Sequence, residues 1–355
     1  MNTWASLLAV SLCCTLLLGC ERQTAPVPMD TPPAPESEHR QAPTTAAQLN
    51  QLSEQLRQHT LTATTDLSQA CQTLQQRVEA FLESPKDSEL AAAQAQWHTL
   101  HAAVHLTNLT LGMAESNPNL FAQLVRDIKY IHQTPIAPGF LDSVEGYPVS
   151  GLAHDVTLPI HRDTLLTQHG LTDDSEATIG LHVVEFLLYA DDGKRTAQEY
   201  QQKHQSDGQL KVSELPQNRR RTLLELTTRL TCDSIEKLAS HWQPASVTVS
   251  TYQRLPARSQ LALWRNALSA TIDAALDIDH CEFAPDGCQL TSDSVKQLLS
   301  FSSEHDLLPE LNTLALENQL NSLQNDPSLS ATERQQHLKL ALQKTSLAES
   351  SPAQK

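Results

Sequence analysis

His182 and Glu185, three positions apart, are the pair in this sequence best placed to do chemistry. Leu181, Val183, Val184, Phe186, Leu187 and Leu188 surround them, and if that run is helical both polar side chains leave one face. An imidazole and a carboxylate in that register can chelate one cation, or act as a base and its orienting partner. The alternative is a His–Glu hydrogen bond closed within the core, because buried polar groups need partners. A second set, His98, His101 and His105, recurs at steps of three and four, and the His101/His105 step is a common chelating spacing. A solvated helix face carries the same pattern. Asp142, Glu145, His154 and Asp155 complete a metal site if the segment holding them folds over His182; each equally suits a turn or a cap.

Known hydrolase signatures are missing. Phe186 stands where an HExxH helix would carry its second histidine, and there is no GxSxG elbow. Haem would need an axial ligand such as His182, but no CxxCH run accompanies it.

The elements that must position these residues read as helices. Gly is scarce while Leu, Ala and Gln abound, and no sustained alternating run marks a strand. Leu49, Leu52, Leu56, Leu67, Cys71, Leu74, Val78 and Phe81 share a helical face that ends near Ser84 and Pro85. Further helices are expected over 87–114, 119–132, 174–189 (capped by Asp173 or Asp174), 216–242, 256–276, 292 through the 310s, and 328–346. Residues 135–170, rich in Pro, Gly, Asp and His, read as a long irregular connection of the kind that covers a site. The expected class is all-α, a helical bundle occupying residues 46–345, with 346–355 a polar tail.

Residues 1–19 read as a signal peptide. Its apolar core, 7–18, is short for a membrane span, and no Lys or Arg precedes it. Leu17, Leu18, Gly19 and Cys20 resemble a lipobox, which makes Cys20 the expected lipidation site; the alternative is an ordinary cleaved signal peptide with Cys20 incidental. Residues 20–45, with Pro26, Pro28, Pro32, Pro33, Pro35 and Pro43, read as a tether. By resemblance to bacterial lipoprotein sorting rules, Glu21 after the cysteine implies the outer membrane, with the domain facing the periplasm. In that oxidising space Cys71, Cys232, Cys281 and Cys288 remain, and no CxxC pair favours zinc. Cys281 and Cys288 flank a turn-rich loop and are expected to pair, leaving Cys71 with Cys232. The net charge of −16 excludes a nucleic-acid partner and is compatible with cation binding.

Gly180, His182 and Glu185, followed by Phe186, Leu187 and Leu188, resemble the GxHxxE signature of the imelysin-like, or M75 peptidase-like, family. Trp97 to His101 resembles that family's Trp-bearing second helix. Pro138 to Asp142, Glu145 to Pro148, Gly151 and Leu152 resemble its long connection, and Gln168, His169 and Gly170 precede the motif as in a subgroup. Where relatives often carry an arginine and a glutamate on the second helix, this chain has His101 and Asn108.

The resemblance implies two four-helix-bundle-like halves, a periplasm-facing protein linked to iron acquisition, and His182 with Glu185 as the metal-binding or catalytic pair. A metal-binding envelope lipoprotein is the expected function, with His182 and Glu185 at the site and His101, His105, Asp142, Glu145 and Asp155 as further ligands. Iron is the metal the resemblance implies, while zinc or copper suits a histidine-rich set. The expected partners are a metal ion or complex, the membrane through the lipid, and other envelope uptake proteins. A metal-dependent peptidase and a purely structural or partner-binding lipoprotein are the alternatives.

Overall fold

A computed structural model describes residues 46–276, except 108, 109, 111, 115, 116, 134 and 207, together with Phe283; the side chains of 48, 49, 105, 106, 265 and 268–276 are likewise not described. The first helix, α1 (Ala46–Glu83), buries Leu52, Leu56, Leu67, Cys71, Leu74, Val78 and Phe81, the residues whose spacing predicts it. Pro85 has no N–H to continue the ladder, and the chain turns there. Helix α2 (Asp87–Leu106) starts with Asp87 and Glu89 in its first turn, where carboxylates complement the helix dipole. It buries Ala93, Trp97, Leu100, His101 and Val104.

Helix α2 is shorter than expected. At Thr107 both the backbone N–H and the hydroxyl turn back to the Val104 carbonyl, at 2.9 and 2.7 Å, replacing the regular ladder. Residues 112–114 are helical again. Helix α3 (Ala122–Lys129) is also shorter than the expected 119–132, so His132 falls beyond its end. The long connection contains two short helices, α4 (Pro138–Leu141) and α5 (Arg162–Gln168).

The motif helix, α6 (Leu181–Tyr189), begins seven residues later than expected. Asp173 does not cap it; its carboxylate accepts the Ser175 N–H at 2.9 Å and closes a local turn. Helix α7 (Pro216–His241) follows 3₁₀ turns at Ala197–Tyr200 and Val212–Glu214. The unanticipated α8 (Val247–Gln253) is capped by the Ser246 hydroxyl, which accepts the Val249 N–H at 3.0 Å. Helix α9 (Ala257–Leu276) matches its expected span. The helices expected after residue 276 lie outside the described residues, as do Cys20, Cys281 and Cys288.

The fold is all-helical, with no strand among the described residues. Helix α1 packs against α2 and α7, and α6 packs against the same two, so the four close a ring around one core. Helix α9 lies against α1, and α3 against α7. No helix among the described residues is long and apolar enough to cross a membrane. Cys71 and Cys232 form the expected disulfide between α1 and α7. It joins positions 161 residues apart, and on a chain-entropy view such a link contributes about 5 kcal/mol.

Three consecutive arginines of α7 hold the connections in place. Arg219 donates to the carbonyls of Leu152, Asp155 and Leu158. Arg220 grips both oxygens of the Asp142 carboxylate, and Arg221 donates to the carbonyls of Leu82 and Tyr200. Gly151 makes the turn beneath Asp142 possible: its φ is +73°, and a Cβ there would sit 2.4 Å from the Asp142 nitrogen.

Candidate metal centre

All nine residues of α6 are buried, and the His182 and Glu185 side chains expose no surface. Such a helix needs a way in and an anchor for its free N–H groups. Gly180 supplies the entry with φ +124°, a conformation that L side chains rarely adopt. A Cβ at Gly180 would also meet the Ile131 carbonyl at 3.2 Å. The Gly180 N–H donates to the Thr231 hydroxyl of α7 at 3.0 Å, and the Leu181 N–H donates to the Ile131 carbonyl at 2.9 Å. The Leu181 carbonyl in turn accepts the Trp97 indole N–H of α2 at 2.9 Å.

Leu181 is therefore a backbone hub. It ties the residue before His182 to the residue before His132, and to Trp97, one helical turn before His101. Trp97 also stacks on the His101 ring, with centroids 5.0 Å apart. His101 and His132 meet His182 edge-on, at ring centroid separations of 5.8 and 4.9 Å. One ligand atom from each of His101, His132 and His182 lies within 4.8 Å of the other two. His101 and His182 are buried, and His132 is half-buried.

Glu185 takes the orienting place, one of the two that its spacing allows. Its Oε2 accepts the Nδ1–H of His182 at 2.9 Å, and its Oε1 accepts the backbone N–H of Phe283 at 2.9 Å. The carboxylate thereby orients the imidazole and leaves the Nε2 lone pair of His182 available as a ligand atom. That Nε2 is buried and has no hydrogen-bond partner. A carboxylate behind a histidine is the usual outer support of a metal-ligating imidazole.

The other expected ligands lie elsewhere. His98 packs edge-on against Trp97 and Tyr189. His105 belongs to α2, but its side chain is among those not described. Asp142 is fully buried, held by Arg220, with Arg195 and His154 at 3.5 Å. Burial pushes its pKa up, but the hydrogen bonds from His154 and Arg220 and the two guanidinium charges hold it well below the usual carboxylate range. Glu145 is exposed, and its backbone N–H donates to Asp191. The Asp155 carboxylate accepts from Thr157 in a local turn. His132 joins the cluster although nothing in its spacing marks it as a ligand; the available signal was a histidine just past the end of a short helix.

His169 supports the same region. Its Nδ1 accepts the Thr178 N–H at 3.2 Å, and its ring stacks on Tyr130 with centroids 4.9 Å apart. Burial lowers its pKa. It thus spans the two backbone segments that carry His132 and His182.

An all-helical domain with a buried histidine cluster built from three separate segments is the class that fold and site define. A family profile described as imelysin, peptidase M75, matches residues 60–278, and the chain belongs to that family. A comparison with curated proteins finds no match. The matched stretch includes Trp97, the three clustered histidines and Glu185.

Proposed function

We propose that this protein is an envelope lipoprotein that binds a first-row transition metal through His101, His132 and His182, and serves in iron or other transition-metal acquisition or handling. One observation carries the reading: three imidazoles converge within 4.8 Å while the His182 Nε2 is buried without a partner. A buried polar atom left open costs roughly 1–3 kcal/mol, which a bound cation would offset. Three neutral nitrogens backed by a carboxylate suit Zn²⁺, Cu²⁺ or Fe²⁺ better than Ca²⁺ or Mg²⁺. Membrane attachment through Cys20, at the outer membrane, rests on the Leu17 to Cys20 pattern and the proline-rich tether.

The test is metal analysis of the detergent-purified full chain. Wild type is expected to take up one equivalent of Fe, Zn or Cu, and His182→Ala, His101→Ala and His132→Ala to lose it. Equal metal content in wild type and all three variants would remove the site. Labelling with palmitate, lost in Cys20→Ala, checks the anchor.

The family's peptidase description supports a second reading. Three protein ligands are also what a catalytic zinc uses, with its fourth position kept for water or substrate. Both Glu185 oxygens, however, already accept hydrogen bonds, so that carboxylate is poorly placed as a general base. Chelator-sensitive proteolysis that disappears in His182→Ala would favour the enzyme.

A further inference from the structure

We propose that Phe283 is a positioning residue for the histidine cluster and acts through Glu185; this rests on the metal-binding reading above. Phe283 lies beyond residue 278, where the family match ends. It nevertheless reaches two successive residues of α6. Its backbone N–H donates to Glu185 Oε1 at 2.9 Å, and its ring packs edge-on against Phe186 with centroids 5.2 Å apart.

The consequence follows from the geometry of the carboxylate. Glu185 Oε2 fixes the His182 imidazole by accepting its Nδ1–H, so the rotation of the carboxylate sets the direction of the ligating Nε2. The Phe283 N–H holds the opposite oxygen and stops that rotation. The family-matched stretch thus supplies the ligands and the orienting carboxylate, and a residue outside it sets the carboxylate. Outer partners of this kind typically alter metal affinity by about 10–100-fold. The hydrogen bond comes from the backbone, so it needs an N–H at position 283, while the ring keeps that N–H in place.

A double-mutant cycle in the full chain, with Zn²⁺ affinity as the readout, tests the proposal. Phe283→Pro removes the N–H. Glu185→Gln cannot accept from both His182 and Phe283, because one end of its amide is a donor. Each single variant is expected to lose about 10–100-fold in affinity, and the double variant no more than Glu185→Gln alone. Unchanged affinity in Phe283→Pro, or losses that multiply in the double variant, would overturn it.

A measurement on chains without a backbone change guards against misfolding. In protein labelled with ¹⁵N-phenylalanine, the Phe283 amide resonance, assigned through Phe283→Tyr, should shift in metal-free Glu185→Gln. A resonance that stays in place overturns the proposal whether or not metal binds. If wild type takes up no metal, the functional reading fails instead. If metal uptake depends on His182 but not on Phe283, only this inference fails.

Discussion

Two buried polar clusters lie at or beside the motif helix, and they handle the same physical problem differently. Around Asp142 the protein supplies its own partners: Arg220 grips both carboxylate oxygens, and Arg195, His154 and the Ser143 N–H surround them. Around His182 one nitrogen is oriented by Glu185 and the other faces two more imidazoles without a hydrogen bond. The first cluster joins the long connection to α7. The second gathers groups that suit an external cation. The division is not perfect, since Arg195 Nε also lacks a partner, but that atom faces no other potential ligand set among the described residues. Burial therefore does not distinguish scaffold from site, and neither does an open atom alone, since Thr228 Oγ1 and Trp242 Nε1 also lack hydrogen bonds; an open nitrogen that faces two more imidazoles does.

The sharpest way to break this contrast is to remove one partner from each cluster. Arg220→Ala leaves the Asp142 carboxylate buried beside fewer cations, and should cost about 3–5 kcal/mol of stability in urea unfolding. Metal content per folded molecule should not change. His182→Ala should do the opposite, abolishing metal uptake with a smaller loss of stability. If His182→Ala costs as much stability as Arg220→Ala and leaves metal content intact, both clusters are scaffold.

The sequence reveals these two regions unequally. Long helices such as α1, α7 and α9 are legible because their apolar residues recur over several turns and Pro85, Pro216 and Pro256 mark their limits. The Cys71–Cys232 link is legible by elimination, once the cysteines after the leader are expected to be oxidised and Cys281 is expected to pair with Cys288. His182 and Glu185 are legible as a pair from their spacing, but their division of labour is not. Spacing places both on one face; only the approach of Phe283 and of the other histidines sets the imidazole in a cluster and the carboxylate behind it. His132 is hidden for a similar reason. Its position depends on the Leu181 N–H meeting the Ile131 carbonyl, a contact between segments about fifty residues apart in sequence. The late start of α6 depends on the backbone conformation at Gly180, which no hydrophobic pattern encodes.

Gly180 sharpens the contrast at the hub. An alanine there would have to hold φ near +124° and place its Cβ 3.2 Å from the Ile131 carbonyl. Backbone strain of that kind costs about 1–3 kcal/mol. The relief available is a small separation of α6 from the segment before His132, which would also pull two of the three histidines apart. Gly180→Ala should therefore lose metal affinity as well as stability, measured by Zn²⁺ titration and urea unfolding on the same preparation. A variant with lowered stability and unaltered affinity would show that the hub serves the fold alone.

The smallest effect concerns pH. His169 accepts the Thr178 N–H and is buried, so its folded pKa lies below its ordinary value of 6.5. The unfolded chain then binds the proton more readily than the folded one. The stabilising contribution of neutral His169 is complete above 6.5 and declines as pH falls below that value toward the folded pKa. Asp142, whose folded pKa is also lowered, begins to contribute in the same direction only near its ordinary 3.8, so the two are separable in pH. Metal-free protein should lose stability between neutrality and pH 5 more steeply than His169→Gln, whose amide can accept from Thr178 without titrating. The histidines of the cluster are present in both proteins, so their titration cancels in the difference. Parallel stability curves for the two proteins across that range would show that His169 is not the group coupling acid to the segments around the histidine cluster.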